Sequence, residues 1–383
     1  MSYTVAIDMC TFSAKHGGGK DEVAYNLLRG FEQIGVSRQI LCFCYKALAP
    51  IIREVNPNVG VHVVPRIPKY GPLWRLRPLL RGKYEGYMVK KLGIRLLVFS
   101  NKPSPHLSFP IPTVEIPHDI QAFEAGHIHG INALSLGRTR GVRDITLDFK
   151  YRDHIVAISD FDRKSMLRNL PWAADKITRI YNPIRFTQPP VDQNCHKEYI
   201  TLLNIMHPHK NTETALRAFR LIAEKTDLTL ALVGREPSHV QQLKDYVTRH
   251  GLEQRVLFTG FVSDETLSEI IEKTRIYVNP SFFEGFGMTA VEMMGREVPA
   301  IVADSTAMPE VTRGLCRYYG PADDAAQLAA VLLEELEHPT PPERLAEIAQ
   351  VMRESYSYVN VAKEYWAFFQ RCMRPQVTPG RTL

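Results

Sequence analysis

Two glutamates, Glu284 and Glu292, lie eight residues apart and are the side chains best placed for chemistry in this chain. The surrounding sequence predicts a strand over residues 275–280, a loop rich in glycine and aromatic residues over 281–287, and a helix over 288–296. The glutamates therefore flank a helix start, where backbone N–H groups and the positive end of the helix dipole favour an anion. A ligand with a phosphate in its middle and hydroxyl groups at both ends fits this arrangement, and a nucleotide sugar has that form.

The run Glu284-Gly285-Phe286-Gly287 followed by Glu292 resembles the E-x7-E motif of retaining glycosyltransferases of family 4, which have the two-domain GT-B fold. The resemblance implies that Glu284 is catalytic and holds sugar hydroxyls, and that Glu292 accepts hydrogen bonds from the ribose. It also implies that the amides of residues 287–289 stabilise the leaving diphosphate. The predicted donor-binding residues of this segment are Phe286, Gly287, Met288, Thr289 and Glu292.

A glycine run, Gly17-Gly18-Gly19, follows the first predicted strand and precedes a helix. Glycine at this place lets the backbone approach a phosphate closely, although a plain tight turn has the same composition. The dinucleotide spacing G-x-G-x-x-G is not met, which disfavours NAD. The family resemblance assigns Gly18 and Gly19 to the donor diphosphate.

The segment from Met206 to Asn211 is similar to the G-x-x-x-P-x-K-N segment of the family, whose lysine pairs with the donor phosphates. Lys210 matches that lysine. Two positions depart from the pattern: Asn204 stands where glycine is usual, and His207 stands where arginine or lysine is common. The positive charge of His207 at the diphosphate is therefore expected to depend on pH.

His118 follows another predicted strand, and the resemblance implies that it contacts the transferred sugar as a second catalytic residue. One D-x-D triplet, Asp160-Phe161-Asp162, has the form that holds a metal in other glycosyltransferases. It falls in a segment that the resemblance assigns to the scaffold, so we interpret it as structural. No metal and no cofactor are predicted, because Lys210 and the helix dipoles are expected to replace Mg²⁺.

Strands alternate with helices in two series, which predicts two Rossmann-like, doubly wound α/β domains. A polar, proline-marked stretch separates the series, so the predicted domains are an acceptor domain over 1–187 and a donor domain over 188–357. The strand edges that bind ligands are expected to face each other across a cleft. The resemblance further implies that residues 358–383 cross back onto the first domain.

Charge is distributed unevenly along the 383 residues. Residues 1–185 hold 27 Lys and Arg against 15 Asp and Glu, whereas the remainder holds 20 against 26. Within residues 66–95, basic residues alternate with Leu, Tyr and Trp, which is typical of an anionic membrane interface, although a solvated helix with buried leucines is the alternative. The residues predicted to contact the membrane are Trp74, Arg75, Arg77 and Arg81.

Localisation follows from the same composition. No apolar run reaches the length of a membrane span, and six scattered cysteines fit a reducing compartment. We therefore expect a cytoplasmic protein that is peripheral on the inner membrane.

The resemblance implies a bacterial mannosyltransferase-like enzyme that builds surface polysaccharide such as a lipopolysaccharide O-chain. The predicted donor is GDP-mannose, with UDP-sugars and others left open, and the predicted acceptor is a lipid-linked saccharide. Two alternatives remain: a GT-B-fold epimerase acting on a nucleotide sugar, and a non-catalytic protein that binds membrane or another polyanion. Nucleic acid is not a predicted partner, because no recognised module for it is present.

Overall fold

The computed structural model describes residues 3–12, 18–66, 76–100, 106–124 and 135–374, with helix backbone alone at 77 and 135–140. The described chain divides into two compact units. The first unit contains residues 3–123 of the described chain, 135–183 and 356–374. The second unit contains Ile184–Ser355 together with Glu124.

The first unit contains a seven-stranded parallel sheet. Its strands are β1 (Val5–Asp8), β2 (Ile40–Cys44), β3 (Gly60–Val63), β4 (Leu96–Phe99), β5 (Thr113–Glu115), β6 (His154–Ala157) and β7 (Ile177–Arg179). Their order in the sheet is β3-β2-β1-β4-β5-β6-β7. Strands β1, β2 and β4 are almost wholly apolar and buried along their entire length, because helices cover both faces of the sheet. The helices are α1 (Gly19–Gln33), α2 (Ala49–Val55), α3 (Arg77–Lys91), α4 (Gln121–Glu124), α5 (Ser135–Lys150) and α6 (Asp160–Asn169).

The second unit contains a six-stranded parallel sheet. Its strands are β8 (Tyr199–Leu203), β9 (Thr229–Val233), β10 (Val256–Gly260), β11 (Thr274–Asn279), β12 (Ala300–Ala303) and β13 (Arg317–Tyr319). Their order is β10-β9-β8-β11-β12-β13. The helices are α7 (Thr212–Ile222), α8 (Val240–Arg249), α9 (Asp264–Glu272), α10 (Met288–Gly295), α11 (Met308–Val311), α12 (Ala325–Glu337) and α13 (Pro342–Tyr356). Leu216, Phe219 and Ile222 form the apolar stripe that packs α7 into the core of this unit.

Both sheets reverse their strand order at one point, between β1 and β4 in the first unit and between β8 and β11 in the second. Ligands of doubly wound sheets bind outside the carboxyl ends of the strands at such a switch point. The segments that follow β8 and β11 carry Lys210 and Glu284, and the segment that follows β1 carries Gly18. The prediction of two Rossmann-like α/β domains is confirmed.

The last helix, α14 (Tyr358–Cys372), packs on α1 within the first unit. Gly30 of α1 makes this approach possible, because a Cβ there would lie 2.4 Å from the carbonyl oxygen of Tyr358 and 2.5 Å from Cβ of Ala362. The ring of Phe31 then contacts the rings of Trp366 and Phe369, each with a centroid separation of 6.1 Å.

Helix α3 corrects one prediction about the basic segment. Arg81 is buried: its Nη2 lies 3.1 Å from Oδ2 of Asp8, and its Nε lies 3.3 Å from Oε1 of Glu85. Its assignment to a membrane-contacting surface is therefore wrong, because ion pairing inside the unit holds the side chain away from any surface. Arg77 is the first residue of α3, whereas Trp74 and Arg75 lie outside the described residues.

None of the helices in the described part of the chain is long and apolar enough to cross a membrane.

Candidate functional site

Lys210 and Glu284 meet at the switch point of the second unit. Lys210 ends a short 3₁₀ helix after β8, and Glu284 lies in the loop after β11. The Nζ of Lys210 donates a hydrogen bond of 2.7 Å to Oε1 of Glu284. Both side chains are mostly covered, yet each keeps some contact with solvent. The predicted catalytic carboxylate and the predicted phosphate-binding cation are thus direct neighbours.

The Glu284 carboxylate is held in place by two further donors. The Ser281 hydroxyl donates to Oε1 at 2.8 Å, and Nδ2 of Asn279 donates to the same oxygen at 3.3 Å. The backbone N–H of Glu284 donates to Oγ1 of Thr306 at 3.0 Å. Burial alone would raise the pKa of Glu284, but Lys210 and Ser281 outweigh it and hold that pKa below its ordinary value. Glu284 is therefore a fixed, ionised acceptor of hydrogen bonds.

Asn211 ties the two segments together. Its backbone is left-handed, with φ at 55°, and its buried Nδ2 donates to the carbonyl oxygens of Pro280 at 2.9 Å and Ala322 at 2.7 Å. The N–H of Phe282 also donates to the carbonyl oxygen of His209 at 2.8 Å. These bonds fix the geometry of the Lys210–Glu284 pair before any ligand binds.

The two departures from the family pattern have different structural outcomes. Asn204 has φ at 62°, a left-handed conformation that asparagine adopts more readily than most residues other than glycine. Asparagine at this position therefore has a backbone conformation that glycine adopts readily. His207 is exposed, and its ring stacks on that of His209 with a centroid separation of 5.5 Å and an interplanar angle of 11°.

Helix α10 begins beside Glu284. Gly287 precedes it with φ at 85°, and a Cβ at Gly287 would lie 2.6 Å from Sδ of Met308. Glycine is thus required both by the backbone conformation and by the close packing. The next two residues, Met288 and Thr289, are in the first turn, where backbone N–H groups have no carbonyl one turn earlier in the helix.

The other predicted residues of this segment lie around the same helix. Glu292 is half-buried on α10, one turn after its start. Thr289 shares a hydrogen bond of 2.8 Å between its hydroxyl and the phenol of Tyr277. The ring of Phe286 is buried in the unit, which leaves its backbone as the part able to meet a donor.

The glycine run leads into α1 in the first unit. Gly18 is the residue before the helix, has an extended backbone, and accepts hydrogen bonds from the N–H groups of Asp21 and Glu22. Gly19 is the first helical residue, whereas Gly17 lies outside the described residues. A Cβ at Gly18 would meet no atom of the described chain within 4 Å, so the backbone is open to approach from outside.

His118 follows β5 in the first unit. Both ring nitrogens are shielded from water, and neither makes a hydrogen bond of ordinary geometry within the part of the chain described. Burial, followed by the charge of Lys20, lowers the pKa of His118 to about 3. The imidazole is therefore neutral at physiological pH. Lys20, at the start of α1, lies 3.9 Å from Asp119, so the segments carrying Gly18 and His118 adjoin.

The D-x-D triplet lies in the first turn of α6. Ser159 caps this helix by accepting a hydrogen bond of 3.0 Å from the N–H of Asp162, whose side chain is buried. Asp160 faces Arg179, with 3.8 Å between Oδ1 and Nε. These roles agree with a structural interpretation of the triplet.

A cluster of two carboxylates and one thiol in the first unit has the spacing of metal ligands. Asp8, Cys10 and Glu85 bring potential ligand atoms within 4.8 Å of one another. The guanidinium of Arg81 lies against both carboxylates, so the positive charge of this cluster already comes from the protein. The donor set therefore does not favour a cation.

The roles of the residues that hold the Lys210–Glu284 pair were not predicted from the sequence, although Asn211 belongs to the family-like segment. Ser281 and Asn279 surround the carboxylate, and Asn211 joins the two segments. A usable signal existed for Asn279 and Ser281, because polar residues at the carboxyl end of a buried strand lie at the ligand edge of a parallel sheet.

Two family models match this chain. The model described as Glycosyltransferase Family 4 matches residues 17–188, and the model described as Glycosyl transferases group 1 matches residues 187–352. The Lys210–Glu284 pair lies in the second of these matches, and Gly18 and His118 lie in the first.

Relatives among characterised proteins include two O-antigen enzymes. The O-antigen chain mannosyltransferase B of Escherichia coli is 30% identical over 199 residues, which are 48% of this chain and 51% of that protein. The O-antigen chain mannosyltransferase RfbU of Salmonella typhimurium is 26% identical over 274 residues, which are 67% of this chain and 71% of that protein. The chain thus spans about half the length of the first relative.

Solved structures share the fold over nearly the whole chain. Anabaena Alr3699/HepE in complex with UDP superposes with a TM-score of 0.73 at 18% identity, covering 96% of this chain and 100% of that one. The lipopolysaccharide outer core galactosyltransferase WaaB in its apo form has a TM-score of 0.66 at 18% identity, covering 96% and 99%.

Proposed function

We infer the reaction from the family: this chain is a glycosyltransferase of family 4 with the two-domain GT-B fold, and we propose that it transfers mannose from GDP-mannose to a saccharide hydroxyl with retention. The observation that carries the proposal is the Lys210–Glu284 pair at the switch point of the second unit. A cation for phosphate and a fixed carboxylate for sugar hydroxyls are 2.7 Å apart there.

The ionised Glu284 is proposed to accept hydrogen bonds from the sugar as it is transferred. Lys210 has three N–H donors, and only one is needed for its bond to Glu284. The remaining donors and the first-turn amides of α10 would stabilise the charge that develops on the leaving diphosphate. Glu292 would accept hydrogen bonds from the ribose hydroxyls. Retention would follow from acceptor attack on the face that the diphosphate leaves, with a phosphate oxygen taking the acceptor proton.

In the first unit, we propose that Gly18 and Gly19 present backbone N–H groups to the diphosphate. His118 would contact the sugar as a neutral imidazole, because its pKa of about 3 keeps it unprotonated. His207 is proposed to supply a phosphate contact in place of the usual arginine or lysine. No step requires a metal, so activity is expected to survive excess EDTA.

The choice of mannose rests on the relatives, whose names describe mannosyltransferases of O-antigen chains. We extend that substrate class to this chain and propose a lipid-linked saccharide as the acceptor. The enzyme would then act in the cytoplasm, peripheral on the inner membrane.

The test is a panel of nucleotide sugars assayed first by thermal shift and then by transfer. A donor at 100 times its Kd should stabilise the protein by about 2.7 kcal/mol, which a melt resolves readily. GDP-mannose is expected to give the largest shift. NMR of the product should show that the transferred sugar keeps the α configuration that it has in the donor. Release of free UDP together with the epimerised sugar from a UDP-sugar, without an acceptor, would instead indicate an epimerase. Absence of a shift with every donor would overturn the proposed function.

A further inference from the structure

Helix α3 has an inverted distribution of polar and apolar residues. Its inner face carries Arg81 and Glu85, which are 7% and 0% exposed. Its outer face carries large apolar side chains that are exposed: Leu76 by 45%, Leu79 by 38%, Leu80 by 37% and Tyr87 by 61%, with Leu76 immediately before the helix. A surface helix of a globular protein normally has the opposite arrangement, with the charged side chains towards solvent.

The exposed residues form one continuous stripe. We define the outer face of α3 by its exposed residues, which are Leu76, Leu79, Leu80, Lys83, Tyr87, Lys90 and Lys91. Their spacing of three and four residues places them within an arc of about 120° at 3.6 residues per turn. The only acidic residue of α3, Glu85, points the other way and is buried. The stripe therefore combines apolar and positive groups without a negative one on the helix.

The inversion is fixed by contacts inside the first unit. Arg81 pairs with Asp8 at the carboxyl end of β1, and Met88 and Val89 are buried in the apolar core beside it. Rotating the helix to hide its leucines would break the Arg81–Asp8 pair and leave charges buried without partners, which is strongly unfavourable. The leucines consequently stay exposed in the isolated unit.

We propose that the outer face of α3 binds the surface of an anionic lipid bilayer. The leucines and Tyr87 would enter the boundary between headgroups and acyl chains, and Lys83, Lys90 and Lys91 would contact anionic headgroups. With 15 residues, α3 is shorter than the ~20 residues of a membrane span, so it would lie in the plane of the interface. This inference rests on the proposed function, because a lipid-linked acceptor is what such docking would serve.

Charge complementarity favours a bilayer over a second copy of this chain. In a twofold dimer built on this face, the same stripe meets itself and brings lysines towards lysines. A soluble polyanion would satisfy the lysines but would leave three leucines and a tyrosine in water. An anionic bilayer satisfies both sets of side chains.

Vesicle flotation of the full chain tests the proposal. Wild type should bind vesicles of phosphatidylglycerol mixed with phosphatidylcholine, and should bind pure phosphatidylcholine far more weakly. Binding should also weaken as salt rises, because screening shortens the reach of the lysines. Replacing Lys83, Lys90 and Lys91 with Gln together should lower partitioning on the order of 100-fold. A Leu79→Gln and Leu80→Gln variant should lower it about tenfold.

A matched control uses the exposed Leu221 and Lys225 of the second unit, changed to Gln together, which should bind vesicles like wild type. Unchanged binding of either α3 variant, or equal binding of wild type to neutral vesicles, would overturn the proposal. A dimer in solution that the leucine variant dissociates would also overturn it. The proposed function is judged separately, because the nucleotide-sugar melt needs no membrane and all three variants should retain the wild-type shift.

Discussion

Two glutamates in this molecule each lie against a basic side chain, and their surroundings give them opposite properties. Glu284 bonds to Lys210 in the second unit, and its pKa is lowered. Glu85 lies beside Arg81 in the first unit, and its pKa is raised, first by burial and then by the charge of Asp8. Both pairs lie near the carboxyl end of a central strand.

The difference comes from the number of carboxylates that share each cation and from the access of water. Arg81 serves both Asp8 and Glu85 in a closed cluster, so one cation cannot keep two buried carboxylates ionised. Lys210 serves Glu284 with help from Ser281, and the pair keeps contact with solvent. The same sheet topology thus supports a cluster that holds a helix in one unit and a pair suited to a ligand in the other, because function resides in the site rather than the fold.

The largest effect is expected when the closed cluster is broken. Arg81→Met should lower the free energy of unfolding by about 3–5 kcal/mol, because it leaves Asp8 and Glu85 buried without their cation. Urea denaturation measures this change. Lys83→Met, two residues along and exposed, is the control and should stay within about 0.5 kcal/mol of wild type. An Arg81→Met variant as stable as that control would show that the cluster does not hold α3.

The next effect concerns the Lys210–Glu284 pair, which we call the open pair because both side chains keep contact with solvent. Glu284→Gln should lower kcat on the order of 10²–10³-fold, because the amide lacks the negative charge that strengthens hydrogen bonds from the sugar hydroxyls in the transition state. Steady-state kinetics with both substrates saturating measures it. The control is Glu253→Gln. Glu253 is exposed and lies just before β10, at the amino end of that strand, whereas Glu284 follows the carboxyl end of β11. Wild-type turnover of Glu284→Gln would remove the catalytic assignment.

Loss of the cation in the same pair should have a similar or slightly smaller effect. Lys210→Ala is expected to lower kcat/KM, with a loss of about 2–4 kcal/mol of transition-state stabilisation, because the diphosphate loses a positive neighbour. Lys210→Arg should recover part of that loss, since the charge returns with altered geometry. If activity instead disappears in EDTA and returns with Mg²⁺, a metal rather than Lys210 neutralises the diphosphate.

The sequence indicated Glu284 and Lys210 as separate candidate site residues, without predicting their contact, and it misjudged Arg81 for a physical reason. Glu284 and Lys210 occur in motifs whose spacing is local, and their strand–loop–helix context places them at the ligand edge of the sheet. Arg81 looked like one more basic residue in a basic segment, because its partner Asp8 lies in a distant strand. Pairing over such a distance leaves no local pattern. A helical projection of α3 does indicate that Arg81 is buried, because Arg81 and Glu85 share a helix face with the apolar Val89.

The details that hold the open pair were also beyond sequence reasoning. Asn211 joins two loops through carbonyl oxygens of Pro280 and Ala322, which are far away along the chain. The alternation of strands and helices was predictable, since fully apolar runs such as those of β2 and β4 favour buried strands of a parallel sheet. The C-terminal helix α14 was placed on the first unit by family resemblance alone, and Gly30 supplies its physical basis.

A more moderate effect should distinguish the two glutamates of the donor motif. Glu292→Ala is expected to raise the donor KM by roughly tenfold with little change in kcat, because ribose contacts are equal in the ground and transition states. Initial rates over a range of donor concentrations measure both constants. A fall in kcat like that of Glu284→Gln would mean that Glu292 acts on the reacting sugar.

The smallest effect is a difference in the pH dependence of stability between Glu85→Gln and Glu284→Gln. The folded-state pKa of Glu85 is raised, so its carboxyl stabilises the fold below the unfolded pKa of about 4.3, and that contribution is lost as pH rises above it. The folded-state pKa of Glu284 is lowered, so its contribution is present above about 4.3 and is lost as pH falls. Relative to wild type, Glu85→Gln should therefore gain stability as pH rises, and Glu284→Gln should gain it as pH falls. Urea denaturation from pH 3.5 to 8 measures both trends, and Glu253→Gln should follow wild type throughout. Trends of the same sign would show that the two glutamates do not differ in charge state as the structure indicates.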